Sequence, residues 1–490
     1  MDTLSAAFVP LLYGGLGNLA AYLAAHVLLC LLPAFFIAGA MAALIPKETI
    51  TRFLGRNSSK AVSYPAAAAA GSLLAVCSCT IVPLFAGIYR KGAGLGPAIT
   101  FLFFAPAANI LALVYTGGII GPDLAAARFI LSLTFGIGIG LIMALVFRAD
   151  DAAHDKATDT LFSAQRAAGM QHAALLFLLV WIALLLAGTL KLSVLTGTAF
   201  SFDLPAANAA GWQAALDRLV PYDAARGEEG VSVQGVVLIA LLVAIGFTAW
   251  RGFENIQDGV TAWTRASLAL IGVTLLFAAL SLQATPEGLR VGLTGKFFGV
   301  AAALAVLYHV GSRRLATENV QDWLWESWRF VKQIFPLLVI GVFLVGVIRV
   351  LIRPEWIEAI AGTNSLSGNL AGVAFGVFMY FPTLVEVPIA KMFLDLGMHR
   401  GPLLAYLMSD PELSLQSILI ISAILGRKKT AVYVGLVALF SAAAGLTYGA
   451  WIDGMPLLII TLWLAAFIGL LVTSVNFMSR NTKAKALGGV

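Results

Sequence analysis

Charge is scarce in this chain. Only 11% of its 490 residues are Asp, Glu, Lys or Arg, while 60% are hydrophobic. That balance excludes a soluble domain with an ordinary charged surface and points to a membrane protein with little soluble mass. Cysteine is scarcer still. Three residues cannot make a disulfide framework, and Cys77 and Cys79 lie together in an apolar segment, so a bridge-stapled secreted domain is excluded. No Lys or Arg precedes Lys47, so the N-terminus lacks the basic start of a cleavable signal. The net charge of +6 comes from basic residues in short loops; it reads as membrane topology and excludes nucleic-acid binding. No phosphate-binding loop, metalloprotease pair or serine-triad signature is present, which leaves no support for a primary pump or a hydrolase and calls for no cofactor. Gly136, Gly138 and Gly140 follow no strand and are assigned to close helix packing.

What is present is a series of apolar segments, near 19–45, 62–88, 96–118, 121–147, 170–190, 233–250, 266–282, 292–309, 335–352, 369–393, 402–425, 430–450 and 456–478. If all of them crossed, the basic loops would scatter over both faces. If 62–88 and 369–393 are re-entrant hairpins, most of the basic loops share one side, as the positive-inside rule prefers. Eleven spans follow, with the N-terminus outside and the C-terminus inside.

The hairpins sit in an internal repeat. Gly71, Pro83, Gly92, Gly96, Pro97 and Pro106 return 305 residues later as Gly376, Pro388, Gly397, Gly401, Pro402 and Pro411. Gly55, Asn57 and Ser58 return as Gly362, Asn364 and Ser365 after a two-residue slip. The copies would enter their hairpins from opposite sides, and Pro83 and Pro388 would supply the breaks. The expected fold is an all-α polytopic membrane protein with two inverted-topology repeats, each with a re-entrant, proline-broken helical hairpin, plus an inserted four-helix segment. Its blocks are 19–147, 148–309, 320–450 and 456–490. An external loop over 191–231, low in apolar periodicity, is given no function. Trp323, Trp325 and Trp328 beside Arg329 and Lys332 predict a helix lying in the membrane interface.

The two hairpins carry different chemistry. The first reads Cys77-Ser78-Cys79 before its proline, and an unwound stretch would turn both thiols to one face, a soft donor pair for thiophilic metal or arsenic centres. Small buried cysteines packing in a helix are the alternative, and for the lone Cys30 packing is preferred. The second hairpin places Glu386 two residues before Pro388. A membrane-embedded acid is a candidate proton carrier or cation ligand; a structural pair with Lys391 is the alternative. Asp410 and Glu412 flank Pro411 where the first copy has Ala105-Pro106-Ala107, and Asn109 matches Ser414. The two acids fit a cation site or proton relay, or else a shallower, solvated position.

The run Cys77-Ser-Cys-Thr-Ile-Val-Pro-Leu-Phe-Ala-Gly-Ile-Tyr-Arg-Lys-Gly-Ala-Gly-Leu-Gly-Pro97, followed by Ala105-Pro-Ala-Ala-Asn109, resembles the predicted-permease family that includes the organoarsenical efflux permeases. Phe381-Pro-Thr-Leu-Val-Glu-Val-Pro388 is similar to the partner motif of one branch. The resemblance covers about 30–147 and 335–450. It implies a multi-pass inner-membrane permease, with trivalent organoarsenicals exported by some members and metal-ion efflux proposed for others. The chain departs from the family in its four-span insert and in Asp410 and Glu412, where small neutral residues are expected. The resulting expectation is a secondary, proton-coupled exporter of a thiophilic solute. Its metal or substrate ligands are Cys77 and Cys79, with Ser78, Asn109 and Glu386 completing the substrate site. Glu386, Asp410 and Glu412 couple protons. A thiol oxidoreductase cycling Cys77 and Cys79, or a passive channel, is the alternative. The partners expected are a small solute or ion and the lipid bilayer, and the pattern is compatible with a homo-oligomer.

Overall fold

A chain this apolar has to satisfy its own backbone hydrogen bonds, and a helix does so within one segment. The computed structural model describes residues 2–25, 27–45, 47–56, 58–73, 78–162, 172–189, 193–206, 208–220, 230–351, 355–378, 383–467, 469–470 and 473, and most of them are helical. Six described helices are long and apolar enough to cross a bilayer: Leu95–Ile119, Pro122–Val146, Val233–Phe253, Gly295–Arg313, Thr317–Ile348 and Arg427–Ile452. Arg400–Leu413 and Leu415–Leu425, bent by 47° at their junction, form a seventh if taken as one span. The protein is therefore an all-α polytopic membrane protein, with one small exception described below.

The chain gathers into two compact units. The first comprises 1–46, 79–88 and 166–350. Here His172–Thr189 packs on Leu32–Leu44 and Gly295–Arg313, while Val233–Phe253 packs on Ala262–Ala278. Phe36, Phe177, Trp181 and Trp323 form an aromatic knot, with Phe36 stacked on Trp181 at 4.7 Å. Trp323 also donates its indole N–H to the Phe36 carbonyl at 2.9 Å, and Trp328 donates to Glu254 at 2.7 Å. This corrects the expected interfacial helix. Trp323 and Trp328 are buried, and their segment runs straight into the Thr317–Leu351 helix. At helical spacing the tryptophans turn towards neighbouring helices, where each indole N–H finds an acceptor.

The exception to all-α structure lies in the same unit. Strands β1 (Thr198–Leu204), β2 (Ser281–Thr285) and β3 (Gly288–Thr294) form an antiparallel sheet in the order β1-β3-β2. The stretch expected to be a featureless loop holds β1 and the helix Ala209–Leu219, and the β2–β3 hairpin falls where apolar spans were expected to end and begin. Phe200, Phe202 and Leu204 alternate with Ser201 and Asp203, which is the period of a strand.

The second unit comprises 47–78, 89–165 and 351–490, and it holds the helices of the repeat except for most of Ser78–Arg90, whose residues 79–88 belong to the first unit. Lys60–Leu73, Ser78–Arg90, Leu95–Ala107, Ile110–Ile119 and Pro122–Val146 are followed, about 305 residues on, by Leu366–Phe378, Thr383–Asp395, Arg400–Leu413, Leu415–Leu425 and Arg427–Ile452. In each copy the first, third and fifth of these helices pack together. Glycine makes the close approach possible. A Cβ on Gly71 would meet Ala105, and one on Gly376 would lie 2.7 Å from the backbone nitrogen of Asp410, the equivalent position. Gly92 and Gly397 share a left-handed φ of 92° and 91°, a turn that a side chain would strain.

One expectation about the hairpins is corrected. Pro83 and Pro388 lie inside the helices Ser78–Arg90 and Thr383–Asp395. Each is the sixth residue of its helix, so its ring removes one early backbone bond and the helix continues. The intervals 74–77 and 379–382, within the segments expected to be hairpins, lie outside the described residues.

Candidate functional site

The second unit holds a cluster of charged side chains within its apolar helices, and Arg128 is its hub. The Pro122–Val146 helix lies close against Leu95–Ala107 because Gly136 and Gly140 leave room for Phe103 and Thr100. Arg128 sits on that helix with a fully buried side chain. Its Nε donates to the Ala107 carbonyl at 2.7 Å, Nη1 to Thr116 Oγ1 at 3.1 Å, and Nη2 to Glu386 Oε1 at 2.8 Å. Ala107 ends its helix, so its carbonyl has no partner within the helix, and a cation there also suits the helix dipole.

Asn109 bridges the same break. Its side chain accepts from Ala112 N at 2.9 Å and donates to the Ala105 carbonyl at 3.0 Å, capping the helix Ile110–Ile119. Ser414 caps Leu415–Leu425 in the second copy, accepting from Ser417 N at 3.3 Å. The Asn109–Ser414 match in sequence is thus a match of helix caps.

Glu386 faces Arg128, and both side chains are fully inaccessible. Its second oxygen, Oε2, has no partner among the described residues. The expected alternative partner, Lys391, is ruled out: it bonds Asp395, one helical turn on, in an exposed pair. Five residues along a helix point in different directions, whereas four share a face. Removing two charges from water is costly, and this pair is tolerable because the guanidinium has three acceptors.

Asp410 and Glu412 are buried as well, which removes the reading that they are solvated. Glu412 Oε2 accepts from Tyr433 Oη at 2.7 Å, and Oε1 has no partner among the described residues. Glu386 lies near enough for its charge to act on Glu412. Gln416, also buried, leaves both its amide oxygen and nitrogen without partners among the described residues.

Cys77 lies outside the described residues, and Ser78 and Cys79 open a helix whose side chains at these positions are likewise outside them, as is the side chain of Cys30. Among the described residues no group of three His, Cys, Asp or Glu is arranged to hold a metal ion.

Arg128 and Tyr433 were not singled out from sequence. Arg128 did carry a signal. It is an arginine inside the apolar segment 121–147, and a cation at such depth requires an acid to meet it. Tyr433 carried none, since a tyrosine in an apolar helix is unremarkable until its hydroxyl has a partner.

Comparison with known proteins agrees with this architecture. Residues 13–450 match the family model described as predicted permease. The chain is 34% identical over 428 residues to a UPF0718 protein of Methanocaldococcus jannaschii, covering 87% of this chain and 93% of that one. It is 30% identical over 99 residues to the UPF0718 protein YraQ of Escherichia coli, covering 20% of this chain and 28% of the other. No solved structure matches it.

The Glu412–Tyr433 contact gives a direct test. Tyr433→Phe leaves a buried carboxyl without its hydroxyl donor and should cost about 1–3 kcal/mol, read as a lower thermal midpoint of the detergent-solubilised protein. Tyr433→Phe/Glu412→Leu, which removes both partners, should recover most of that loss. An unchanged midpoint in Tyr433→Phe would show that the hydroxyl does not support the carboxyl.

Proposed function

The chain belongs to the predicted-permease family and is a multi-pass membrane transporter; on that premise we propose that it is a secondary exporter of a thiophilic solute across the inner membrane. A trivalent organoarsenical or a soft metal ion is the cargo that suits its residues. The observation that carries the reading is the charged cluster of Arg128, Glu386 and Glu412, with Asp410 buried on the same helix as Glu412, beside the helix breaks of both repeat copies. Apolar helices keep ionisable groups at such cost that a transport role is the ordinary reason for them.

In this proposal Cys77 and Cys79 bind the solute as thiolates, soft donors that release as readily as they capture. Ser78 and Asn109 complete the substrate site in this proposal. Glu386, Asp410 and Glu412 supply the coupling-proton site. Arg128 stands against Glu386 in apolar surroundings, with the Glu412 carboxyl near enough for the Glu386 charge to act on it, an arrangement suited to exchanging protons. The two copies are inverted in the membrane, in support of which their helices match at a constant offset while their basic loops fall on one side only under inversion.

Two measurements test these statements. Everted membrane vesicles given a trivalent organoarsenical under an imposed pH gradient should accumulate it with the wild type and not with Cys77→Ser or Cys79→Ser. Glu386→Gln should lose the response to the gradient. Full accumulation by both cysteine variants at matched expression would remove the thiol reading.

For topology, Arg90→Cys and Arg400→Cys would each be made with the native cysteines replaced by serine. An impermeant thiol reagent applied to intact cells should label Arg400→Cys alone. Labelling of both, or of neither, would refute the inversion.

A further inference from the structure

A second site, away from the buried charges, lies at the helix ends of the first repeat copy. Within the second unit, a cavity of about 310 Å³ opens where Gly55, Arg56 and Ser58, the start of Lys60–Leu73, the start of Leu95–Ala107, the end of Pro122–Val146 and the start of Arg148–Phe162 meet. Arg56, Lys60 and Arg148 line it, with Asp151 as its one carboxylate. That carboxylate is already engaged: Oδ1 accepts from Leu95 N at 2.9 Å, and Oδ2 lies 3.7 Å from Arg56 Nε. Lys60 and Arg148 form no ion pair among the described residues. Two uncompensated cations and a half-compensated third therefore converge on one pocket, where Gly94 and Gly96 bring bare backbone to the wall.

Packing does not require these cations. The second copy has Thr363 where the first has Arg56 and Asp453 where it has Arg148, and Asp453 is paired with His399 at 3.0 Å. Two large apolar side chains stand close to the pocket residues in sequence. Phe53 and Val62 are about half exposed, and the Arg52 guanidinium lies over the Phe53 ring at 5.6 Å. Exposed apolar side chains next in sequence to an open cationic pocket suit a membrane-interface binding site.

We propose that this pocket binds a phosphate-bearing anion, and foremost the headgroup of an anionic phospholipid in the leaflet it faces. Arg56, Lys60 and Arg148 meet the phosphate oxygens, and Phe53 and Val62 lie against the acyl chains. The site is independent of the transport chemistry proposed above.

The full-length protein in neutral detergent would be titrated with short-chain phosphatidylglycerol and, separately, with inorganic phosphate, with adducts read by native mass spectrometry. Phosphatidylglycerol should bind, and Arg56→Gln/Lys60→Gln/Arg148→Gln should weaken it by about tenfold or more. Arg313→Gln/Arg427→Gln/Lys428→Gln, which removes the same charge from exposed helix ends elsewhere, should leave it unchanged. Should the first triple variant not fold, Lys60→Gln and Arg148→Gln alone should each weaken binding several-fold. Phosphate adducts with the same dependence would keep the site and identify free phosphate as its source. Equal weakening in both triple variants, or no adduct with either probe, would overturn the proposal.

Discussion

A guanidinium buried in apolar helices has to be met by acceptors, and Arg128 finds them in three places: the end of one helix, a threonine on the next, and a carboxylate from the other repeat copy. This constraint accounts for much of the geometry around it. The carbonyl of Ala107 is free because its helix stops there, and the helix can stop because Asn109 caps its successor. Glu386 reaches the guanidinium because its helix, Thr383–Asp395, packs on Ile110–Ile119 of the first copy. The ion pair thus ties two segments 258 residues apart in sequence. Such a pair contributes little net stability, since desolvation offsets most of its attraction, yet losing one partner strands a buried charge. Its consequence is specificity: the two copies fit in the arrangement that brings Glu386 to Arg128.

The two copies separate what builds the fold from what differs in chemistry. Shared positions are backbone devices: the left-handed Gly92 and Gly397, the caps Asn109 and Ser414, and the close contacts at Gly71 and Gly376. The divergent positions carry thiols, charges and carboxyls. Ile81 stands where the second copy has Glu386, Ala105 and Ala107 where it has Asp410 and Glu412, and Arg148 where it has Asp453. A duplicated scaffold with diverged reactive positions is what an asymmetric path through a transporter needs.

Much of this could be read from the residues alone, where a local rule decides. Glycine and proline at a fixed offset exposed the repeat, and the helices follow it nearly residue for residue. Membrane-deep acids at 386, 410 and 412 stood out by their solvation cost, and all three are buried. The failures arose where the deciding partner is remote in sequence. Lys391 was the nearby cation for Glu386, but Arg128 meets it. The tryptophans at 323 and 328 had the composition of an interface, but acceptors at Phe36 and Glu254 draw them inward. The sheet was missed because β1 pairs with a strand nearly 100 residues later, although its own alternation was visible.

The claim on which the account rests is that Arg128 and Glu386 are one unit. A double-mutant cycle on thermal unfolding of the detergent-solubilised protein tests it most directly, using Arg128→Met, Glu386→Met and the double variant. Each single variant should be strongly destabilised, by about 3–5 kcal/mol, because it strands a buried charge. The double variant should return close to the wild type, giving a coupling of similar size. Losses that simply add would contradict the pairing and, with it, the arrangement of the two copies around it.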